Sequence, residues 1–92
     1  MAQKFEWDNS KAVGNLLKHG VSFEEGKTVF DDLYYIDFYD PDHSQEEHRY
    51  IIVGMSQQQR LLVVSYTERG DTVRLISARL ATRREQRSYE HG

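Results

Sequence analysis

Leu61-Leu62-Val63-Val64-Ser65-Tyr66-Thr67-Glu68-Arg69-Gly70-Asp71-Thr72-Val73-Arg74-Leu75-Ile76-Ser77-Ala78-Arg79 is the stretch that decides the fold. Residues 61–67 and 72–79 are rich in β-branched and aromatic side chains, and the polar Arg69-Gly70 between them offers glycine where a tight turn needs a positive φ. The stretch therefore reads as an antiparallel hairpin. With Arg69-Gly70 as a two-residue loop, Tyr66 faces Val73, Val64 faces Leu75 and Leu62 faces Ser77. On the other face Thr67 meets Thr72, Ser65 meets Arg74 and Val63 meets Ile76. The first set is the more apolar and is expected to face helices, leaving Ser65 and Arg74 on a partly open face. The same register sets Arg60 opposite Arg79, like charges that need an anion between them. A slip of one residue would exchange the faces.

Working outward, residues 49–55 and 33–39 read as two further strands, joined by the turn-rich Asp40-Pro41-Asp42-His43-Ser44. Ser56 to Gln59 is a polar hairpin connection. Upstream, Phe5-Glu6-Trp7 alternates as a short strand, and Asp8 is a good N-cap for a helix over residues 9–19 that Gly20 stops. Its apolar stripe is expected to be Ala12, Val13, Leu16 and Leu17, with Lys11, Asn15 and Lys18 on a different arc. Ser22 with Glu25, and Thr82 with Glu85, have the spacing of capping boxes, opening a second helix and a C-terminal one. Gly14 and Gly26 stand where helix formers are more natural. The expected architecture is an α+β two-layer domain: two N-terminal helices, an antiparallel sheet of three to four strands and a C-terminal helix.

Length and composition bound the class. Ninety-two residues make one domain, 1–92, with no linker, repeat or low-complexity tract. No apolar run approaches the roughly 20 residues that span a bilayer. The N-terminus lacks the apolar segment of a secretory signal, and the absence of cysteine excludes disulfides, thiolate metal sites and cysteine nucleophiles. Together these fit a cytoplasmic protein. The net charge of −3 does not look like that of a nucleic-acid binder, but it is unevenly spread. Residues 1–59 carry 5 Lys/Arg against 11 Asp/Glu, a net of −6, and residues 60–92 carry 7 Arg against 4 Asp/Glu, a net of +3. An arginine cluster can bind phosphate in an acidic chain, or pair internally with the acidic half.

Four constellations bear on chemistry. Arg60, Arg74, Arg79, Arg83, Arg84 and Arg87 form the first; fixed guanidinium groups stabilise the charge that phosphodiester cleavage builds, and need no metal for it. Arg83, Arg84 and Arg87 also read as a solvated helix face, whereas a strand arginine such as Arg74 or Arg79 needs a partner. Lys18-His19 is the second, a proton-transfer candidate or simply cations that complement a helix C-terminus; His48-Arg49 has the same ambiguity. Glu68 in the hairpin turn is the third, a possible base for a 2′-hydroxyl or ordinary turn polarity. Asp40, Asp42, His43, Glu46, Glu47 and His48 are the fourth; they offer oxygen and imidazole ligands but match no defined metal spacing, and read better as a solvated loop. No phosphate-binding glycine loop, nucleophile elbow or nucleotide-cofactor fingerprint is present, so no cofactor and no metal are expected.

Two blocks taken together carry a resemblance. The first is Phe5-Glu6-Trp7-Asp8, Lys11, Asn15, then Lys18-His19-Gly20-Val21-Ser22-Phe23-Glu24-Glu25 and Val29-Phe30-Asp31-Asp32. The second is Arg60-Leu61-Leu62-Val63-Val64, Thr67-Glu68-Arg69-Gly70-Asp71, Arg74, Ile76-Ser77-Ala78-Arg79, Ala81-Thr82, Glu85 and Tyr89-Glu90. Over nearly the whole chain this resembles the BrnT family of type II toxins. The resemblance implies a RelE-like fold and a ribonuclease that inhibits translation by metal-independent cleavage, the 2′-hydroxyl attacking the adjacent phosphate. It also implies a BrnA-like ribbon-helix-helix antitoxin, forming with the toxin a heterotetramer that touches operator DNA only through the antitoxin. Carried onto this sequence, it points to Arg79, Arg74, His19, Lys18 and Glu68 as catalytic candidates, and to Arg60, Arg69 and Arg83 for the RNA. Arg79 and Arg74 would meet phosphate charge, Lys18 or His19 would move the proton, and Trp7 would pack the core. The aromatic run at residues 33–39 lacks the proline expected after Asp32. Two other readings compete: a non-catalytic module that docks the antitoxin through Tyr34, Tyr35 and Tyr39, and a metal-dependent hydrolase using His43 and His48 that EDTA would inactivate.

Overall fold

The computed structural model describes residues 3–91. In chain order it has β1 (Lys4–Glu6), α1 (Asn9–His19), α2 (Phe23–Lys27) continued by a 3-10 turn (Thr28–Asp31), and β2 (Ile36–Tyr39). A second 3-10 turn (Pro41–His43) leads to β3 (Arg49–Met55), β4 (Leu61–Arg69), β5 (Thr72–Leu80) and α3 (Arg83–His91). The α+β class is as expected. The sheet is larger than the expected three to four antiparallel strands: it has five, in the order β1-β5-β4-β3-β2, and β1 joins β5 in parallel. The N-terminal strand thus closes the sheet edge next to the hairpin.

The helix starts behave as their spacing predicts. The Asp8 carboxylate accepts the Lys11 N–H at 3.1 Å, and Ser22 Oγ accepts the Glu25 N–H at 3.0 Å. Thr82 and Glu85 make the full reciprocal box, at 2.8 and 3.2 Å. At Ser22 the box is half made, because the Glu25 carboxylate turns inward to Arg60 and Ser56. Gly26 lets α2 lie close on the sheet: a Cβ there would sit 3.3 Å from the Ala78 Cβ and 3.6 Å from Val64 Cγ2.

The core lies between α1, α2 and one face of the sheet. Val21, Phe23 and Val29 pack on Ile52, Leu62, Val64, Tyr66, Val73, Leu75 and Ala78, with Trp7 edge-on to Phe23. The side of α1 that meets this core is only partly the expected one: Ala12 packs against it, but the rest of the expected stripe does not. Val13, Leu16 and Leu17 are 60, 51 and 83 % exposed, and Asn15 is buried. The reason is the sheet edge. β1 pairs only with Thr72–Arg74, so β5 has an open edge at Ala78. Asn15 fills it as a strand would, donating to the carbonyls of Ala78 (2.7 Å) and Val21 (2.9 Å) and accepting the Ala78 N–H at 3.1 Å.

The hairpin register also differs from expectation. The loop is Gly70-Asp71, with Gly70 at φ 61°, and Arg69 pairs with Thr72. A bulge between the Tyr66–Leu75 and Ser65–Ser77 pairs makes Ile76 the extra residue. Leu62, Val64, Tyr66, Val73 and Leu75 still face the helices, but Ser77 moves to the open face beside Ser65, and Arg74 lies opposite Thr67. Arg79 lies opposite Val63, so the expected opposition of Arg60 and Arg79 does not occur. The strand expected over residues 33–39 starts only at Ile36, because the Asp32 carboxylate accepts the Tyr34 N–H (3.0 Å) and bends the chain.

Candidate functional site

The sheet face away from α1 and α2 presents rows of side chains across β3, β4 and β5. One row is Arg49, Thr67 and Arg74, the next Ile51, Ser65 and Ser77, the third Val53, Val63 and Arg79. Val53 and Val63 are buried although they lie outside the main core, at the end where α3 rests against β3. Thr67 is buried as well, and the other side chains of these rows are half-buried. A cavity of about 290 Å³ lies on this face, lined by the polar Arg79, Arg49, His43, Asp40, Ser65 and Ser77 and by the apolar Ile51, Val63 and Ile76. A wider groove of about 580 Å³ shares His43 and Arg49 with this cavity and runs on to Glu47 and Arg69. The bulge at Ile76 is what brings Ser77 and Arg79 onto this face together.

Each arginine of the face is held differently. Arg79 forks onto Glu85 of α3, both nitrogens at 2.8 Å from its two oxygens. This bond holds the Glu85 carboxyl down at about 2, well below its ordinary range, the N–H of Thr82 helping, and it raises the Arg79 guanidinium in turn. Arg74 meets Glu6 of β1 at 2.6 Å. Arg69 stands between Glu6 (3.9 Å) and Glu47 (3.6 Å). Arg49 is the least satisfied: its buried Nε has no hydrogen-bond partner, and the Glu47 carboxylate is 3.8 Å away. His43 stacks back over its own turn so that Nδ1 is 2.8 Å from the Asp40 carboxylate. Such a face offers convergent cationic donors, hydroxyls and one imidazole, which is the chemistry of a phosphodiester site.

The structure gathers only part of the sequence-expected set here. Arg79 walls the cavity, Arg69 the adjoining groove, and Arg74 lies on the same face toward β1. Lys18 and His19 end α1, in the layer on the other side of the sheet. Glu68 alternates onto the helix-side face of β4 and is exposed. Arg83 is exposed on α3. Arg60 is committed to the buried Glu25, through Nε at 2.9 Å and Nη2, with Nη2 also on the Gly20 carbonyl. The Glu25 carboxyl is lowered by Arg60 against the opposing effect of burial, with help from Ser56. Sequence reasoning set Arg49 aside as ambiguous and read Asp40 and His43 as a solvated loop. The available signal was Asp40-Pro41-Asp42-His43, since proline favours the first turn of a 3-10 helix and positions three apart eclipse in one. Among the described residues no three His, Cys, Asp or Glu side chains converge as a metal-binding group.

A second surface is apolar. Leu33, Tyr34, Tyr35, Phe38 and Tyr39 are 45–91 % exposed around the edge strand β2, and Tyr89 of α3 reaches Asp32 beside them at 2.6 Å. The Asp32 hydrogen bond pushes the Tyr89 hydroxyl up to about 12. Burial pushes the Asp32 carboxyl up, but bonds from the Met55 N–H, the Tyr89 hydroxyl and the Tyr34 N–H outweigh it and leave the group lowered. The exposure expected of Tyr34, Tyr35 and Tyr39 is present. No helix among the described residues is long and apolar enough to cross a membrane.

Comparison with known proteins gives two findings. The model of the family described as ribonuclease toxin, BrnT, of type II toxin-antitoxin system matches residues 7–85. The fold is similar to a 1.1 Å crystal structure of the Brucella abortus ribonuclease toxin BrnT, with a TM-score of 0.65 and 21 % identity over 89 % of this chain and 100 % of that one. Among curated proteins none matches.

Proposed function

Because the chain belongs to the BrnT family of ribonuclease toxins of type II toxin-antitoxin systems, we propose that it cleaves RNA without a metal, in the cavity on the open face of its sheet. One observation carries the reading: Arg79 and Arg49 converge on one cavity with Ser65 and Ser77, at the end of a groove that Arg69 extends.

The 2′-hydroxyl attacks the adjacent phosphorus, the bond to the 5′-oxygen breaks, and negative charge grows on the two non-bridging oxygens. A guanidinium fork matches that pair of oxygens. Arg79 already grips two carboxylate oxygens in this geometry, so a phosphate takes the place of Glu85. Arg49 brings a second guanidinium to the same cavity, with the Glu47 carboxylate 3.8 Å from its Nε. Arg69 and Arg74 meet flanking phosphates. The consequence in the cell is inhibition of translation, relieved by a BrnA-like ribbon-helix-helix antitoxin through which alone the pair touches operator DNA. The exposed apolar groups of α1 and of β2 provide surface for such a partner.

The test is cleavage of a labelled RNA by the purified protein in EDTA, beside Arg79→Ala. Cleavage by the parent and a loss of at least about 100-fold in the variant are expected, the scale of removing one donor to a developing oxyanion. No cleavage by a folded parent, with or without ribosomes, sinks the reading and favours the docking module.

A further inference from the structure

Proton transfer is the part of this chemistry that the arginines cannot perform. Lys18 and His19, the sequence-based candidates, sit in the layer on the far side of the sheet from the cavity, and Glu68 points off the opposite face of β4. His43 is the imidazole that walls the cavity. Resting on the reading above, we propose that His43 is the general base that takes the proton of the attacking 2′-hydroxyl, and that Asp40 is its positioning residue.

The local fold builds this pair. Asp40 follows β2 directly, and its N–H bonds to the Arg49 carbonyl at 2.8 Å, so its backbone is fixed to the start of β3. Ser44 closes the turn: its Oγ donates to the Asp40 carbonyl and accepts the Arg49 N–H at 2.9 Å. Thr67 of β4 ties down the His48 carbonyl at 2.7 Å. The Asp40 side chain is only 13 % exposed, whereas that of His43 is 67 % exposed. A mostly enclosed carboxylate therefore orients an accessible ring. With Nδ1–H donated to Asp40, the neutral ring carries its lone pair on Nε2, the nitrogen free to accept a proton. A histidine oriented by an aspartate in this way is the arrangement that activates a hydroxyl nucleophile in other enzymes.

The charges that face His43 suit the task. Within the cavity they are Asp40, Arg49 of β3 and Arg79 of β5. In the groove they are Asp42, Glu46 and Glu47 of its own loop and Arg69 of β4. The arginines fix the phosphate beside the ring. The step balances: the 2′-O–H proton goes to Nε2, the O2′–P bond forms and the P–O5′ bond breaks. The 5′-oxygen takes a proton from water, and the imidazolium returns its proton to water. The products are a 2′,3′-cyclic phosphate and a 5′-hydroxyl.

The experiment compares the full chain with His43→Ala, His43→Gly and Asp40→Asn on one labelled RNA in EDTA, each variant first shown to melt like the parent. His43→Ala is expected to lose about 10²–10⁴-fold in kcat/KM, the usual share of a general base. Free imidazole is expected to restore His43→Gly at least about 10-fold while leaving Arg79→Ala unmoved. Asp40→Asn should lower kcat with little change in KM. Cleavage by His43→Ala within a few-fold of the parent overturns the assignment, as does a loss in His43→Gly that imidazole fails to restore. Absence of cleavage by the parent would instead sink the ribonuclease reading itself, and this assignment with it.

Discussion

Truncating Asn15 should strongly destabilise this protein, and truncating the leucine two positions on should do almost nothing. Among the described residues the side chain of Asn15 is the partner of three backbone groups: the Ala78 N–H at 3.1 Å, the Ala78 carbonyl at 2.7 Å and the Val21 carbonyl at 2.9 Å. Ala78 and Val21 are fully buried. Each buried group left without a partner costs about 1–3 kcal/mol. Asn15→Ala is therefore expected to cost at least about 3 kcal/mol, even with water reaching part of the gap. A domain of this length has about 5–14 kcal/mol in total. The melting temperature should fall by about 12–24 °C, at about 4–8 °C per kcal/mol. Leu17 is 83 % exposed, and Leu17→Ala should stay within about 0.5 kcal/mol. Urea titrations of both variants, followed by far-ultraviolet circular dichroism, read the difference directly. The reasoning is refuted if Asn15→Ala loses less than about 1 kcal/mol, or if Leu17→Ala loses more than Asn15→Ala does.

Three further outcomes follow from ion pairs. Arg60→Ala strands the Glu25 carboxylate, whose side chain is 2 % exposed, and should cost about 2–3 kcal/mol in a urea titration, less than the about 3–5 of a fully enclosed pair because the Arg60 side chain is 37 % exposed. A cost under about 0.5 kcal/mol would contradict the buried-pair account. Glu85→Gln should free Arg79 and loosen the first turn of α3; tighter binding of a non-cleavable RNA analogue, read by fluorescence anisotropy, is expected, and unchanged affinity would show that Glu85 does not compete with phosphate. Glu85 has a folded value of about 2, below its unfolded value near 4.5. It therefore adds stability above about pH 4.5 that is lost as pH falls toward 2. The acid sensitivity of the parent over that window should exceed that of Glu85→Gln, and equal slopes in the two melts would remove Glu85 as a cause.

What the sequence could and could not convey turns on a few residues. Caps are local: Asp8, Ser22 and Thr82 act within three residues, so the starts of all three helices were legible. The apolar faces of β4, and of β5 as far as Leu75, were legible as well, because alternation holds up to the bulge whatever the register. The buried side of α1 was legible only at Ala12. Hydrophobic periodicity assumes that a helix buries its apolar arc, and here the arc was overruled by an unpaired strand edge 63 residues away that an amide could fill. The register of the hairpin failed for a related reason. Choosing Arg69-Gly70 or Gly70-Asp71 as the loop changes every pairing, and nothing local marks Ile76 as a bulge. The site depends on those same features. Arg79 faces the cavity because the bulge resets the alternation of β5 after Leu75, and His43 faces it because a proline-led turn folds the loop back onto β3. Residue types pointed to phosphate chemistry, but long-range pairing decided which arginines and which histidine can share one phosphate. Strand-borne Arg79 stayed with the site, while Lys18, His19 and Arg60, carried by the α1 end and its neighbouring hairpin, were drawn to the other side of the sheet.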